Sequence, residues 1–215
     1  MSDIEQKLER LKIVFEILVD GYILEDLKIL MAIQPNESGY GGCTVPAALA
    51  IISAMDMLGT KLTSNPNESG AQYLPEFIRA YLTDVSETEI SIIVQNYRHK
   101  MMHEFLPARK HFNEPNARFA ISKTSASGRL IDTTNPLLTT LNIDVLYDKF
   151  LEGVTKLKKV IFIDKNESDI NAFYSNIPDG QTTNYQAFHT ASANYAIPES
   201  SASSSLNTTQ TTILP

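Results

Sequence analysis

Residues 86–105 read SETEISIIVQNYRHKMMHEF. The Ser86 hydroxyl and the Glu89 carboxylate form a capping box that can satisfy free N–H groups of a first helical turn. Ile90, Ile93, Val94, Tyr97 and Met101 then recur on one face of the helix they open, and Pro107 marks its end. A one-faced helix needs apolar neighbours, and the flanking sequence supplies them as further helices. Ile4, Leu8, Leu11, Phe15 and Leu18 form one stripe, and Ile23, Leu27, Leu30 and Met31 form a second segment ending at Gln34-Pro35. Gly39, Gly41 and Gly42 make a loop, after which Pro46 suits a first helical turn. The nearly all-apolar run Ala47–Leu58 predicts a buried central helix, with Gly59 as its C-cap. A short helix covers Pro75–Leu82. Asn142 caps a last helix, with Leu141 and Leu146 placed as a hydrophobic staple. Leu146, Phe150, Val154, Leu157 and Ile161 form its buried stripe, and Lys156, Lys158 and Lys159 suit its C-terminal end. Residues 109–132 hold β-like pieces, Ala117–Ile121 and Arg129–Ile131. The expected fold is all-α: an up-and-down bundle of about five helices with a small β-hairpin or irregular insertion over 109–132.

The chain has 215 residues and a formal net charge of −7. That length suits one domain, or one domain plus a tail. Residues 166–215 contain no Lys or Arg, and Ser, Thr, Asn and Gln supply 24 of those 50 positions. The expected division is a folded domain over 1–165 and a mostly disordered tail over 166–215, with a short docked piece around Phe173–Tyr174 as the exception. Truncation near residue 165 is expected to leave folding largely intact. No apolar run approaches the ~18–20 residues of a membrane span. The charged N-terminus MSDIEQKLERLK lacks an apolar signal centre, and the single Cys43 excludes a disulfide framework within the chain. A cytoplasmic protein with no membrane partner is expected. The acidic balance argues against broad attraction to nucleic acid.

Two smaller features read as structure. Pro35–Gly39 and Pro66–Gly70 share the pattern PNESG, a turn composition. Cys43 precedes a helix, a place where a thiol can be reactive, yet a structural cysteine suits the position better. Gly39-Tyr40-Gly41-Gly42 is neither a P-loop nor a Rossmann pattern, and no cofactor is expected.

Charge is concentrated after the capped helix. From Arg98 to Arg129 seven Lys/Arg face only Glu104 and Glu114, a local +5, so the remainder of the chain carries −12. Such a segment can form a confined anion site in an acidic protein, with Lys100, Arg109 and Lys110 as candidate phosphate contacts. The plainer reading is a solvated helix end. His99, His103 and His111 are interleaved with these charges.

The stretch Asn96–Phe105 resembles the signature of HEPN domains, small helical bundles marked by Arg, a polar residue and a His beyond them. Arg98, His99 and His103 fit that spacing, and Gly41–Pro46 with the following apolar helix resembles an uncharacterised bacterial group with the same Arg/His helix. The resemblance covers about residues 1–165. It implies metal-independent RNA cleavage in a cleft between two protomers, where the 2′-hydroxyl attacks the adjacent phosphate. It also implies a homodimer, RNA as partner, and a toxin or defence setting with a cognate antitoxin or regulatory protein. The chemistry suits the residues. His103 can act as general base or acid. Arg98 can hold a phosphate and stabilise developing charge, and His99 can orient the phosphate or share proton transfer. Arg98 and His103 differ by about 140° around an ideal helix. One straight helix therefore does not aim both at one phosphate, and a loosened helix end or two copies must bring them together.

Two competing readings stand beside this one. His99 and His103, at i and i+4, can both face a zinc ion with Glu104 or His111 as third ligand. The metalloprotease pattern HExxH is absent, and no metal site is expected. Alternatively, the same helix serves a non-catalytic dimerisation, RNA-binding or protein-binding module.

Overall fold

The capped helix opens as its sequence requires. The Ser86 hydroxyl accepts from the Glu89 amide at 3.3 Å, and the Glu89 carboxylate accepts from the Ser86 amide at 2.9 Å. The computed structural model describes residues 2–37, 41–62, 73–104, 118–123 and 127–177. Among them are six continuous helices: α1 (3–32), α2 (Thr44–Leu62), α3 (Tyr73–Tyr81), α4 (87–104), α5 (143–163) and α6 (Glu167–Ser175). A three-stranded sheet, β1 (Arg118–Ser122), β2 (Ile131–Asn135) and β3 (Leu138–Asn142), lies between α4 and α5 in sequence. The fold is thus mostly helical with a small sheet, and the described residues hold six helices where about five are expected.

The two segments expected within residues 4–31 are one helix. Its apolar positions Leu11, Phe15, Val19, Ile23 and Leu27 recur every four residues. Such a row drifts round an ideal helix, because each residue advances about 100°. The stretch Phe15–Leu24 absorbs the drift with π-helical bonding, whose wider turn advances less per residue. Leu11, Phe15, Val19 and Leu27 are accordingly all buried. Ile93–Arg98 in α4 repeats the device: the His99 amide donates to the Val94 carbonyl five residues back, and Ile93, Tyr97 and Met101 are all buried.

Helix α2 is central, packing against α1, α3, α5, α6 and β1. Ala47, Ile51, Met55 and Leu58 have no exposed surface, as the apolar run predicts. It does not stop at Gly59. That glycine lies inside the helix, and a Cβ there would sit 1.8 Å from the Tyr73 carbonyl oxygen. Gly59 is needed for close approach of the chain at the start of α3, not as a cap.

Asn142 caps α5, its side chain accepting from the Asp144 and Val145 amides at 3.2 and 3.4 Å. Leu146, Phe150, Val154, Leu157 and Ile161 are buried along its length. In the sheet β3 is central: β1 pairs with it in parallel, and β2 antiparallel. The hairpin is therefore β2–β3, turning at Pro136-Leu137 and lying mostly past the expected limit at 132. Thr133, Thr134, Thr139 and Thr140 favour strands there, and the Leu137 amide donates to Asn135 Oδ1 at 2.9 Å in a side-chain-closed turn.

The buried core runs past the expected boundary at residue 165. Asn166 caps α6 through the Asp169 amide at 3.2 Å, and Ile170 and Phe173 are buried. The Phe173 and Phe15 ring centroids are 5.3 Å apart. Arg10 donates to the Tyr174 hydroxyl at 2.6 Å, and Lys7 to Asn171 Oδ1 at 2.9 Å. Two apolar anchors offset the polar composition of 166–177, as the expected docked piece suggests. Residues 178–215 and the second PNESG copy lie outside the described residues.

Candidate functional site

Tyr97 sets the rotation of α4. Its ring is buried against Phe119, with centroids 5.8 Å apart. Its hydroxyl donates toward the Ala120 carbonyl of β1 at 3.0 Å and the Thr139 carbonyl of β3 at 2.9 Å. Burial raises its phenol pKa well above the ordinary value, because an anion is disfavoured away from water. With Tyr97 fixed inward, the next residue, Arg98, reaches α2.

Arg98 Nε and Nη2 donate to Asp56 Oδ2 at 3.0 and 2.6 Å. Both side chains are only 17% exposed. The second oxygen, Oδ1, is buried without a hydrogen-bond partner among the described residues. Thr60 Oγ1 donates to the Asp56 backbone carbonyl at 2.9 Å. An ion pair this deep gives up hydration on both sides and holds together because removing either charge would strand the other. The pair fixes the guanidinium in space and partly neutralises it.

His99 and His103 lie elsewhere on the helix and are both exposed. Their ring centroids are 4.9 Å apart at an interplanar angle of 66°, as i, i+4 spacing dictates. The helix continues to Glu104, so no loosening intervenes between Arg98 and His103. The structure brings the two histidines together and seats Arg98 on Asp56. Lys100 is partly buried. Arg109, Lys110, His111 and the side chain of Glu104 lie outside the described residues. No group of three or more potential metal ligands gathers among the described residues.

The +5 segment is less available than its composition implies. Lys123 is only 5% exposed, and its ammonium donates to the carbonyls of Leu30, Met31 and Ile33 at 2.8, 3.2 and 2.6 Å. It caps the C-terminus of α1, where the last carbonyls lack helical partners. Arg98 is likewise engaged, whereas Arg118 and Arg129 are exposed.

Sequence reasoning missed two residues. Asp56 carried a signal: it is the one acid in the apolar run Ala47–Leu58, and a lone acid on a buried helix calls for a cationic partner. Lys123 carried none, because its partners are about ninety residues away. Cys43, preceding α2, is partly exposed and adopts φ +51°. No protein-family model, no curated protein and no solved structure matches the chain.

Proposed function

We propose that the chain is a HEPN-like endoribonuclease that needs no metal and works as a homodimer. The observation that carries the reading is the exposed His99/His103 pair immediately after Arg98. Transesterification of RNA needs one group to take the 2′-hydroxyl proton and another to protonate the leaving 5′-oxygen. Two imidazoles with ring centroids 4.9 Å apart suit that exchange. His103 takes the principal role, and His99 orients the phosphate or shares the proton. Arg98 stabilises the phosphorane charge, and Lys100, Arg109 and Lys110 supply electrostatic attraction along the strand. Because Arg98 and His103 diverge on one helix, the reading joins Arg98 of one protomer to the histidines of its partner across a cleft. It includes an up-and-down bundle, a cytoplasmic setting and a cognate antitoxin or regulatory protein.

A second reading is favoured by the Asp56–Arg98 pair. A guanidinium buried on a carboxylate is a structural tie between α2 and α4, and the protein would then be a non-catalytic binding module. The two separate cleanly. Synthetic RNAs of varied sequence, incubated with the protein in excess EDTA, are expected to yield 2′,3′-cyclic phosphate and 5′-hydroxyl ends. Substituting 2′-deoxy at the cut site is expected to abolish the cut. RNA left intact by the purified dimer would contradict the ribonuclease reading.

A further inference from the structure

Helices α1, α2 and α6 line a partly open pocket of about 140 Å³, and neither His99 nor His103 is among its lining residues. Leu18 and Val19 line it from the π-helical stretch of α1, Met57 and Lys61 from α2, Phe173 from α6 and Ile177 from just beyond its end. Every lining residue but Lys61 is apolar. An apolar space of about 150 Å³ has room for a benzene-sized guest. Widened helical turns also recur at functional sites, and here one forms the cavity wall.

Lys61 is what makes the cavity selective. Its ammonium donates to the Asn176 carbonyl, and the Asn176 amide returns a bond to the Lys61 carbonyl at 3.3 Å. These bonds join the C-terminal ends of α2 and α6 beside the cavity. No acid pairs with Lys61 among the described residues. Burial alone pushes its pKa down, the mark of a charge lacking a compensating anion. An ammonium has three donors, so it can bond a ligand oxygen while keeping Asn176.

We propose that this cavity binds a small carboxylic acid, its apolar body of about six to eight carbons filling the space and its carboxylate pairing with Lys61. Leu18, Val19, Met57 and Phe173 contact the hydrocarbon, and the Lys61–carboxylate bond sets orientation. The site is independent of the histidine pair and of the ribonuclease reading.

Methyl NMR of the full chain tests this with hexanoate, benzoate and hexan-1-ol as probes. Hexanoate and benzoate are expected to shift the Leu18, Val19 and Leu58 methyls and to raise the pKa of the Lys61 ammonium. Lys61→Met is expected to weaken hexanoate about tenfold while changing hexan-1-ol by no more than about twofold. Should that variant unfold, the Lys61 pKa in the unmodified chain decides. Lining methyls that do not move at millimolar acid overturn the proposal. So does a Lys61 pKa unmoved by hexanoate, or a folded Lys61→Met that binds hexanoate as tightly as before.

Discussion

Asp56, Arg98 and Lys123 show how buried charge is managed here, and each makes a prediction. Asp56→Asn keeps the shape but leaves the Arg98 guanidinium without its counter-charge. It is expected to cost ~1–3 kcal/mol in urea denaturation. The double change Asp56→Leu with Arg98→Leu should cost less than the sum of the singles, because neither charge is stranded. Additive losses would show that the pair is not a unit. Lys123→Met preserves the apolar stem and removes three donors from the end of α1. About 2–4 kcal/mol is expected from charge-assisted bonds of that number, with faster hydrogen exchange at the end of α1. The inward placement of Tyr97 and Met101 was legible from spacing alone, since period sets which side faces the core. The destinations of Arg98 and Lys123 were not, because they rest on contacts with residues 42 and about 90 positions away.

Among the elements, α1 holds the clearest lesson. Leu18 and Ile23 read as parts of two helices because an ideal period of about 3.6 residues does not carry the first stripe on to the second. A strict four-residue repeat instead predicts one helix with a widened turn, and the same repeat at Ile93, Tyr97 and Met101 marks the widening before Arg98. The role of Gly59 also rests on a contact from another element. A glycine after an apolar run resembles a cap, and only the approach of Tyr73 reveals it as a packing position. Gly59→Ala should therefore destabilise, although alanine favours helices. The clash with backbone at 1.8 Å puts the loss at more than ~2 kcal/mol, as for other overpacked sites. A Tm unchanged or raised would restore the cap reading. The α5 cap and stripe were legible because Asn142, Leu146 and Phe150 signal locally. The β2–β3 hairpin was only partly so, because its partners and its turn extend beyond residue 132.

Over the whole molecule, the net charge of −7 divides into an acidic remainder and a basic segment, and the fold spends part of that segment on itself. Polar composition was a poor guide to the domain's end, since Ile170 and Phe173 suffice to dock α6. Truncation after residue 165 is expected to lose more than ~4 kcal/mol, the scale of deleting a buried Phe and Ile together, and a near-native melting curve would contradict this. Alkaline stability should follow the buried phenols. Burial, and then the charge of Asp169, push Tyr81 up to about 12. A raised phenol pKa means the folded state holds its proton longer than the unfolded chain. That contribution is complete below pH ~10 and is lost as pH rises from ~10 toward ~12. Tyrosinate absorbance that develops together with unfolding across that window is the expected result. The proposed chemistry belongs to this scale as well, because it needs two copies. The most direct test is cleavage of labelled RNA in excess EDTA by the wild-type protein and by His103→Ala. Cyclic-phosphate products are expected from wild type, with a loss of about a hundredfold or more in the variant and an unchanged oligomeric state and Tm. Equal cleavage by both, or none by either, would contradict that expectation.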